Sequence, residues 1–496
     1  MAEKPKSENG TTTELETFLP KDNSGINGVT NIRDDKETVE YKVTKDDFEA
    51  AVVDFDPFKA RELEHPVSDC DTLTHLLKAS LGTGILSMPA AFQASGLALG
   101  IFSTILVSVI CTHCAYILVV CAHELYRRVG KTQMGFAEVA EQACLRGPKW
   151  ARKFGEPARQ TVLIGIFATY FATCSCYSVI VAKNINYVLE HYLKPAVEVT
   201  NATLNGTENE VLVVPYEINI RLTIAVLLVP LILLAYVPNL KYLAPVSMVA
   251  NICMAIGLGI TFYYLVIDMP AVSERPLVAS ITTFPVFFSI TIFAIEAIGV
   301  VMPLENHMQT PQHFTGLCGV LNQGMAGVTL VYILLGFFGY LKYGEKTMGS
   351  ITLNLPQEEY AAQAVNILIA IAVFCTFGLQ FYVCLDIAWN GIKDRFVKHK
   401  TLAQYVLRTI MVIVCVSLAI AVPTIVPFVS LIGAFCFSIL GLLVPVGIEV
   451  LTFWDKGFGK YNWKILKNIV VVVTGLLALV FGSKSAIEDI INMYMT

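Results

Sequence analysis

Charge is what this sequence has least of. Charged residues make up 15% of its 496 positions, where a water-soluble domain carries about a quarter. Polar linkers are missing too. Apolar runs follow one another from Leu73 almost to the C-terminus, which excludes a string of soluble domains. Basic residues are not in excess, and a net charge of -5 implies no nucleic-acid partner. No P-loop, HExxH or nucleophile-elbow motif occurs, and polar residues inside the apolar runs are too sparse for a catalytic cluster, so nothing points to an enzyme. No repeat of charged or carbonyl filter residues points to a channel. Cysteine is plentiful, with 13 residues, but zinc-site spacing is absent. Most of the cysteines, Cys111, Cys114, Cys121, Cys174 and Cys176 among them, fall inside apolar runs and read as small bundle- or lipid-facing residues. Neither a metal, a cofactor nor a disulfide framework is implied.

Residues 1–70 are polar and lack the apolar core of a signal peptide. They cannot bury enough apolar area to fold, so a disordered cytosolic tail is expected, with the first membrane span as the insertion signal. A spanning helix needs about 20 apolar residues. Runs of that kind lie near 72–94, 97–122, 160–184, 219–237, 241–267, 282–303, 316–341, 361–386, 403–423, 425–449 and 464–483. Linkers almost vanish at Gly96 and between Pro423 and Pro427, which leaves ten and twelve spans open as counts. The expected fold is an all-α polytopic membrane protein of about 11 transmembrane helices. It divides into the tail 1–70, a transporter domain 71–483 and a short exofacial tail 484–496.

Orientation follows from the basic residues. Arg127, Arg128, Lys131, Arg146, Lys149 and Lys153 follow the second span, Lys393 and Arg395 the eighth, and Lys456 and Lys460 the tenth, while alternate loops are poor in Lys and Arg. The positive-inside rule therefore puts the N-terminus in the cytosol. Two glycosylation sequons, at Asn201 and Asn205, fall in a loop on the opposite, lumenal side. A third, at Asn9, lies in the cytosolic tail and should stay unmodified.

The first span reads Ser80-Leu81-Gly82-Thr83-Gly84-Ile85 and reaches Pro89, and the sixth reads Phe293-Ala294-Ile295-Glu296-Ala297-Ile298-Gly299 and reaches Pro303. Each Gly–Pro pair interrupts a helix, and the interruptions are five spans apart. Such matched breaks are the best sequence pointer to a transporter's binding site. Five is odd, so the halves are inverted: a 5+5 inverted repeat with broken helices 1 and 6 and one extra helix. Each glycine weakens the first span by about 1 kcal/mol relative to Ala. Unwinding there frees N–H groups in mid-membrane that a substrate carboxylate would satisfy. Ser80, Gly82, Thr83, Gly84, Ile85, Phe293, Ala294, Ile295, Glu296 and Ala297 are the candidate binding residues. Close helix packing is the bland alternative for the glycines. Glu296, an acid far from any span end, either titrates near the substrate or caps the freed N–H groups of its break. His75 has a ring that titrates in the physiological range and is the second candidate for proton coupling, although a lone histidine near an interface is more often an ordinary hydrogen-bonded residue. Lys78 snorkels on the bland reading, and His113 is a weaker candidate. Tyr170, Tyr177, Phe381 and Tyr382 crowd the third and eighth spans and are mostly packing.

His75-Leu76-Leu77-Lys78 followed by Gly82-Thr83-Gly84-Ile85-Leu86-Ser87-Met88-Pro89 resembles the proton-assisted amino acid transporter family, within the amino acid/auxin permease group. So do Val301-Met302-Pro303-Leu304-Glu305-Asn306, the run from Gly349 to Pro356, and Gln380-Phe381-Tyr382-Val383. The resemblance implies symport of small neutral amino acids, such as glycine, alanine and proline, with a proton as the coupling ion, and it implies that His75 is the proton-coupling residue. Proton coupling suits residence in the plasma membrane as well as in the late endosome or lysosome, whose lumen is acidic, and the choice stays open. Some members bridge two exofacial loops by a disulfide, but residues 185–218 and 342–360 contain no cysteine here. Two rival functions stay open. One is a sodium-coupled symporter, for which Thr376 alone decides nothing. The other is an amino-acid sensor of low flux, whose tail docks cytosolic signalling partners.

Overall fold

The computed structural model describes residues 56–63, 66–193, 198–199, 212–213, 218–237, 240–295, 297–396 and 399–495. Among them lie eleven helical spans and one minimal hairpin, in which Glu198–Val199 pairs with Leu212–Val213. Span 1 consists of α1 (Asp69–Ser80), a 3-10 turn (Thr83–Ser87) and α2 (Met88–Ser95). Span 2 is α3 (Leu97–Val129); an amphipathic α4 (Phe136–Arg146) then leads into span 3, α5 (Gly155–Leu193). Span 4 is α6 (Ile220–Val226) with α7 (Leu228–Ala235), and span 5 is α8 (Leu240–Val266). Span 6 is again broken, into α9 (Phe284–Ile295) and α10 (Ile298–His307). Spans 7, 8 and 9 are α11 (Val320–Tyr343), α12 (Tyr360–Ile392) and α13 (Lys400–Ala421). Span 10 joins α14 (Ile425–Leu431) to α15 (Val444–Thr452) through a π-helix (Ile432–Leu443). Span 11 joins α16 (Trp463–Leu477) to α17 (Ser483–Met495) through a shorter one (Ala478–Gly482). Nine described helical stretches are long and apolar enough to cross a membrane, and the broken span 1 and the shorter span 4 bring the number to the expected eleven, with the breaks in spans 1 and 6.

Local chemistry explains the ends. Ser68 caps α1, its hydroxyl accepting from the Asp71 amide at 3.2 Å, and Asp69 and Asp71 place negative charge in the first turn. Gly96, at φ +86°, makes the corner between spans 1 and 2 that only a residue without a side chain turns cheaply. Pro89 lies in the first turn of α2, where no N–H is needed. Pro303 lies inside α10 and interrupts nothing, so the sixth break owes its place to residues before it.

Span 1 lies along span 7. A Cβ at Gly324 would come within 2.6 Å of Leu76 Cδ2, and one at Gly339 within 2.5 Å of Pro89 Cγ. Small residues on span 7 therefore let the broken helix approach closely. Span 11 sits at the edge, with 28% of its apolar window buried and residues such as Leu466 and Val480 facing outward. The face of the bundle that carries Arg127, Arg128, Lys131, Lys149 and Lys153 is here termed the basic face.

Two expected boundaries move. Residues 56–63 and 66–70, placed in the disordered tail from the sequence, fold against the basic face: the Val67 amide donates to His307 O at 2.9 Å, and Gln309 N returns a bond of 2.9 Å to Val67 O. The stretch 484–496, expected as a tail, is helical as far as Met495, because Ile487, Ile491 and Tyr494 continue an apolar stripe. Glu296, Asn201, Asn205 and Asn9 lie outside the described residues.

Candidate functional site

The first break begins where Leu81 leaves helical geometry at ψ 59° and Gly82 is fully extended. The first bond of the following 3-10 turn is Ile85 N to Gly82 O, 3.3 Å. The amides of Thr83 and Gly84 precede it and have no partner within the turn. The second break runs from Ile295, the end of α9, to Ala297, which caps α10 at φ -120°. The two breaks touch. A Cβ on Gly84 would stand 2.6 Å from the Ala294 Cα, so the missing side chain is what lets the backbones meet. Tyr332 of span 7 ties them together. Its buried hydroxyl shares one proton between Ser80 O and, at 2.9 Å, Ala294 O.

Between the breaks and span 3 lies a cavity of about 100 Å³. One wall is Ala79, Ser80, Gly82, Thr83 and Gly84, and a second is Phe293, Ala294, Ala297, Ile298 and Gly299. Span 3 supplies Thr169, Tyr170, Thr173 and Tyr177, span 8 supplies Gln380, and the π-helix of span 10 supplies Phe437 and Leu440. Thr169 and Thr173 donate back to Gly165 O and Thr169 O, each at 2.8 Å, so what they turn outward is lone pairs. The Ser80 hydroxyl is buried and has no hydrogen-bond partner among the described residues. Nothing stands within 4 Å of the position a Gly82 Cβ would take. The described lining thus offers N–H and O–H donors on one side, acceptors on the other and no charged side chain. That pattern suits a zwitterion without a charged side chain of its own.

Of the candidate residues, Ser80, Gly82, Thr83, Gly84, Phe293, Ala294 and Ala297 line this cavity. Ile85 and Ile295 do not; both are fully buried in the packed core. His75 is half-buried on α1 and off the cavity wall, about 7.5 Å along the helix from Ser80. Tyr170 and Tyr177 do reach the cavity, whereas Phe381 stacks on Phe377 at 5.6 Å. Thr169 and Thr173 form with Tyr177 a polar stripe at helical spacing in an apolar span, a signal the sequence carried.

Both ends of the site are covered. On the side away from the basic face, the segment 349–356 lies over the first break, where Ser87 donates to Gly349 O at 2.8 Å. Thr352 behind it donates to Asn184 Oδ1 at 2.9 Å. On the basic face Arg61 reaches from the chain preceding span 1. Its Nη2 meets Glu305 Oε1 at 3.1 Å, its Nη1 donates to Glu305 O at 3.0 Å, and Nε and Nη2 hold Thr132 O. His123 Nε2 lies 2.9 Å from the same Glu305 oxygen, and Tyr126 donates to the other at 2.9 Å. The Arg61 side chain is 2% exposed and that of Glu305 is fully buried. Sequence reasoning missed this cluster apart from quoting Glu305 in a motif.

Two broken helices facing one cavity, within a bundle of apolar membrane-length helices, are the arrangement of a multi-pass membrane transporter. The match to known proteins is more specific. The chain belongs to the transmembrane amino acid transporter protein family, whose model matches residues 65–488. It is 56% identical over 485 residues, covering 97% of this chain and 95% of the relative, to the proton-coupled amino acid transporter-like protein pathetic of Drosophila melanogaster. It is 25% identical over 441 residues to the amino acid transporter ANT1 of Arabidopsis thaliana, covering 85% of this chain and 93% of that one. Among solved structures it is similar to MhsT in complex with L-phenylalanine, at 12% identity and a TM-score of 0.43, over 88% of this chain and 99% of that one. The chain is therefore an amino acid transporter by family and not an enzyme.

Proposed function

We propose that this protein carries small neutral amino acids, such as glycine, alanine and proline, across its membrane together with a proton, by alternating access. The observation that carries the reading is the cavity between the two breaks, whose described lining holds no charged side chain, with the unpartnered Ser80 hydroxyl on the first break and outward lone pairs on Thr169 and Thr173. The substrate carboxylate sits on the amides of Thr83 and Gly84 and its ammonium on the span 3 threonines, while Phe293, Tyr170 and Phe437 limit the side chain. The name of the Drosophila relative supports the proton as coupling ion. Proteoliposome uptake of a labelled amino-acid panel under an imposed pH gradient is the test. Glycine, alanine and proline should accumulate, and lysine and glutamate should not. Uptake that needs sodium rather than a pH gradient would favour the sodium-coupled reading instead.

For coupling, His75 and Glu296 are the proposed proton carriers. His75→Ala is expected to eliminate accumulation against a gradient while downhill exchange persists, since the carboxylate and ammonium contacts lie elsewhere. Glu296→Gln is the comparison. Should His75→Ala still accumulate substrate while Glu296→Gln only equilibrates it, the carrier is Glu296.

The basic face is proposed to be cytosolic, in the plasma membrane or in late endosomes and lysosomes, either of which supplies a pH gradient. Asn201 and Asn205 then face the glycosylation machinery. The double variant Asn201→Gln, Asn205→Gln should migrate faster than wild type on a gel. Equal migration, together with no shift on glycosidase treatment of wild type, would remove that support for the orientation. A sensing role through cytosolic partners of the N-terminal tail is compatible with transport, and tail deletion that ends signalling but spares flux would establish it.

A further inference from the structure

A second polar centre lies away from the substrate cavity, where spans 2, 10 and 11 meet. Lys467, one turn into α16, holds both carboxylate oxygens of Glu449 in α15, at 2.8 and 2.9 Å. Glu449 is nine residues beyond Leu440 of the cavity wall, about 13 Å along span 10. Beside this ion pair stand buried polar groups with few partners or none among the described residues. Asn468 is 4% exposed, and neither its Oδ1 nor its Nδ2 has a partner among the described residues. Thr452, one turn after Glu449, is 1% exposed and bonds only the Cys121 thiol, and His113 of span 2 has a buried Nε2 without a partner among the described residues.

These groups share one interface. Asn468, Val471, Gly475 and Ala478 form the buried stripe of span 11. At Gly475 that stripe meets Leu443 and Leu442 of span 10, where a Cβ would stand 3.1 and 3.3 Å away. The spans run antiparallel, so Asn468 comes level with Glu449 and Thr452. Ionisable neighbours are few. His113 lies within reach of the charges of both Lys467 and Glu449, the Cys121 thiol of span 2 adjoins Thr452, and Lys464 acts on Cys121 from span 11. Helix α4, packed on span 10, buries Val139, Ala143 and the Cys144 thiol.

A buried amide that leaves all its hydrogen bonds unmade is unfavourable next to an apolar residue of the same size. Proteins meet such a cluster with ordered water, which takes two to four polar partners. We propose that this interface is a hydrated proton-binding centre, distinct from the substrate cavity. Water held by Asn468, Thr452 and His113 delivers a proton to a Glu449 oxygen. The O–H bond forms there, the Lys467 N–H···O bond to that oxygen breaks while the ammonium keeps the other oxygen and the water as acceptors, and the proton returns by the same water when the pair closes again. The centre lies toward the basic face, three residues from the end of span 10, and so reads the pH on that side. This rests on the proton-coupled reading above and on neither His75 nor Glu296.

The test records substrate-evoked current in membrane patches while the pH at the basic face is varied. The double variant Glu449→Gln, Lys467→Met removes both charges together, which avoids stranding one of them. Asn468→Leu keeps the pair and dries the interface, and it carries the test alone if the double variant does not reach the surface. Wild-type current should fall as that face is acidified. Both variants should lose this dependence at an unchanged apparent affinity for substrate. Variants that keep the wild-type response overturn the centre and leave proton coupling standing. A wild type whose current ignores pH on both sides overturns proton coupling and the centre with it.

Discussion

Gly84→Val is expected to show no measurable uptake although the protein reaches the membrane. The Cβ of any residue at position 84 would lie 2.6 Å from the Ala294 Cα and 2.9 Å from its Cβ. The first of these is backbone and cannot rotate away, so the two breaks must separate. Overpacking of this kind costs about 1–3 kcal/mol for an added methylene or two, and valine also resists the unwound backbone through its branched Cβ. Gly82 is the control. With nothing within 4 Å of its missing Cβ, Gly82→Ala should fold and reach the surface normally, and lose apparent affinity because the methyl group takes up cavity space. Uptake normalised to surface biotinylation separates the two. Wild-type transport by Gly84→Val would mean that the breaks need not touch.

Arg61→Met should disable closure on the basic face. Breaking a buried ion pair from one side costs about 3–5 kcal/mol when the remaining charge stays buried. Here the strap can lift and let water reach Glu305, so the loss should appear mainly as a shift toward the state open on that face. A shift of about 3 kcal/mol changes that equilibrium roughly a hundredfold. Ser80→Cys, buried on the cavity wall, reports it: reagent applied from the basic face should label this cysteine much faster once Arg61 is replaced. Adding Glu305→Gln should restore slow labelling in part, since no carboxylate is then left unpaired. Equal labelling rates with and without Arg61 would make the pair a passive anchor.

The spans were legible because hydropathy at bilayer length is a strong one-dimensional signal, and the breaks were legible because glycine and proline announce backbone departures locally. Ser80, Gly82, Thr83, Gly84, Phe293, Ala294 and Ala297, which line the cavity, were reached by that route. Ile85 and Ile295 were not separable from them, because which side of a turn faces a cavity depends on ψ angles that no pattern fixes. Arg61 was invisible for another reason. It pairs with a residue 244 positions away, inside a stretch whose composition looks solvated. The π-helices were equally hidden, since their sequences match those of ordinary apolar helix. Span 11 looked finished at 483 because Lys484, Glu488 and Asp489 dilute an apolar stripe that continues to Tyr494.

Tyr332 has one hydrogen and two claimants. Its oxygen stands between a carbonyl from each break, so a full-strength bond to Ser80 leaves Ala294 short, and the reverse. Such a frustrated bond behaves like a balance arm. A small displacement of either break lengthens one contact and shortens the other, and the two changes largely offset each other. The alternating access proposed above, in which one break moves against the other, therefore requires no bond to be fully broken at this point.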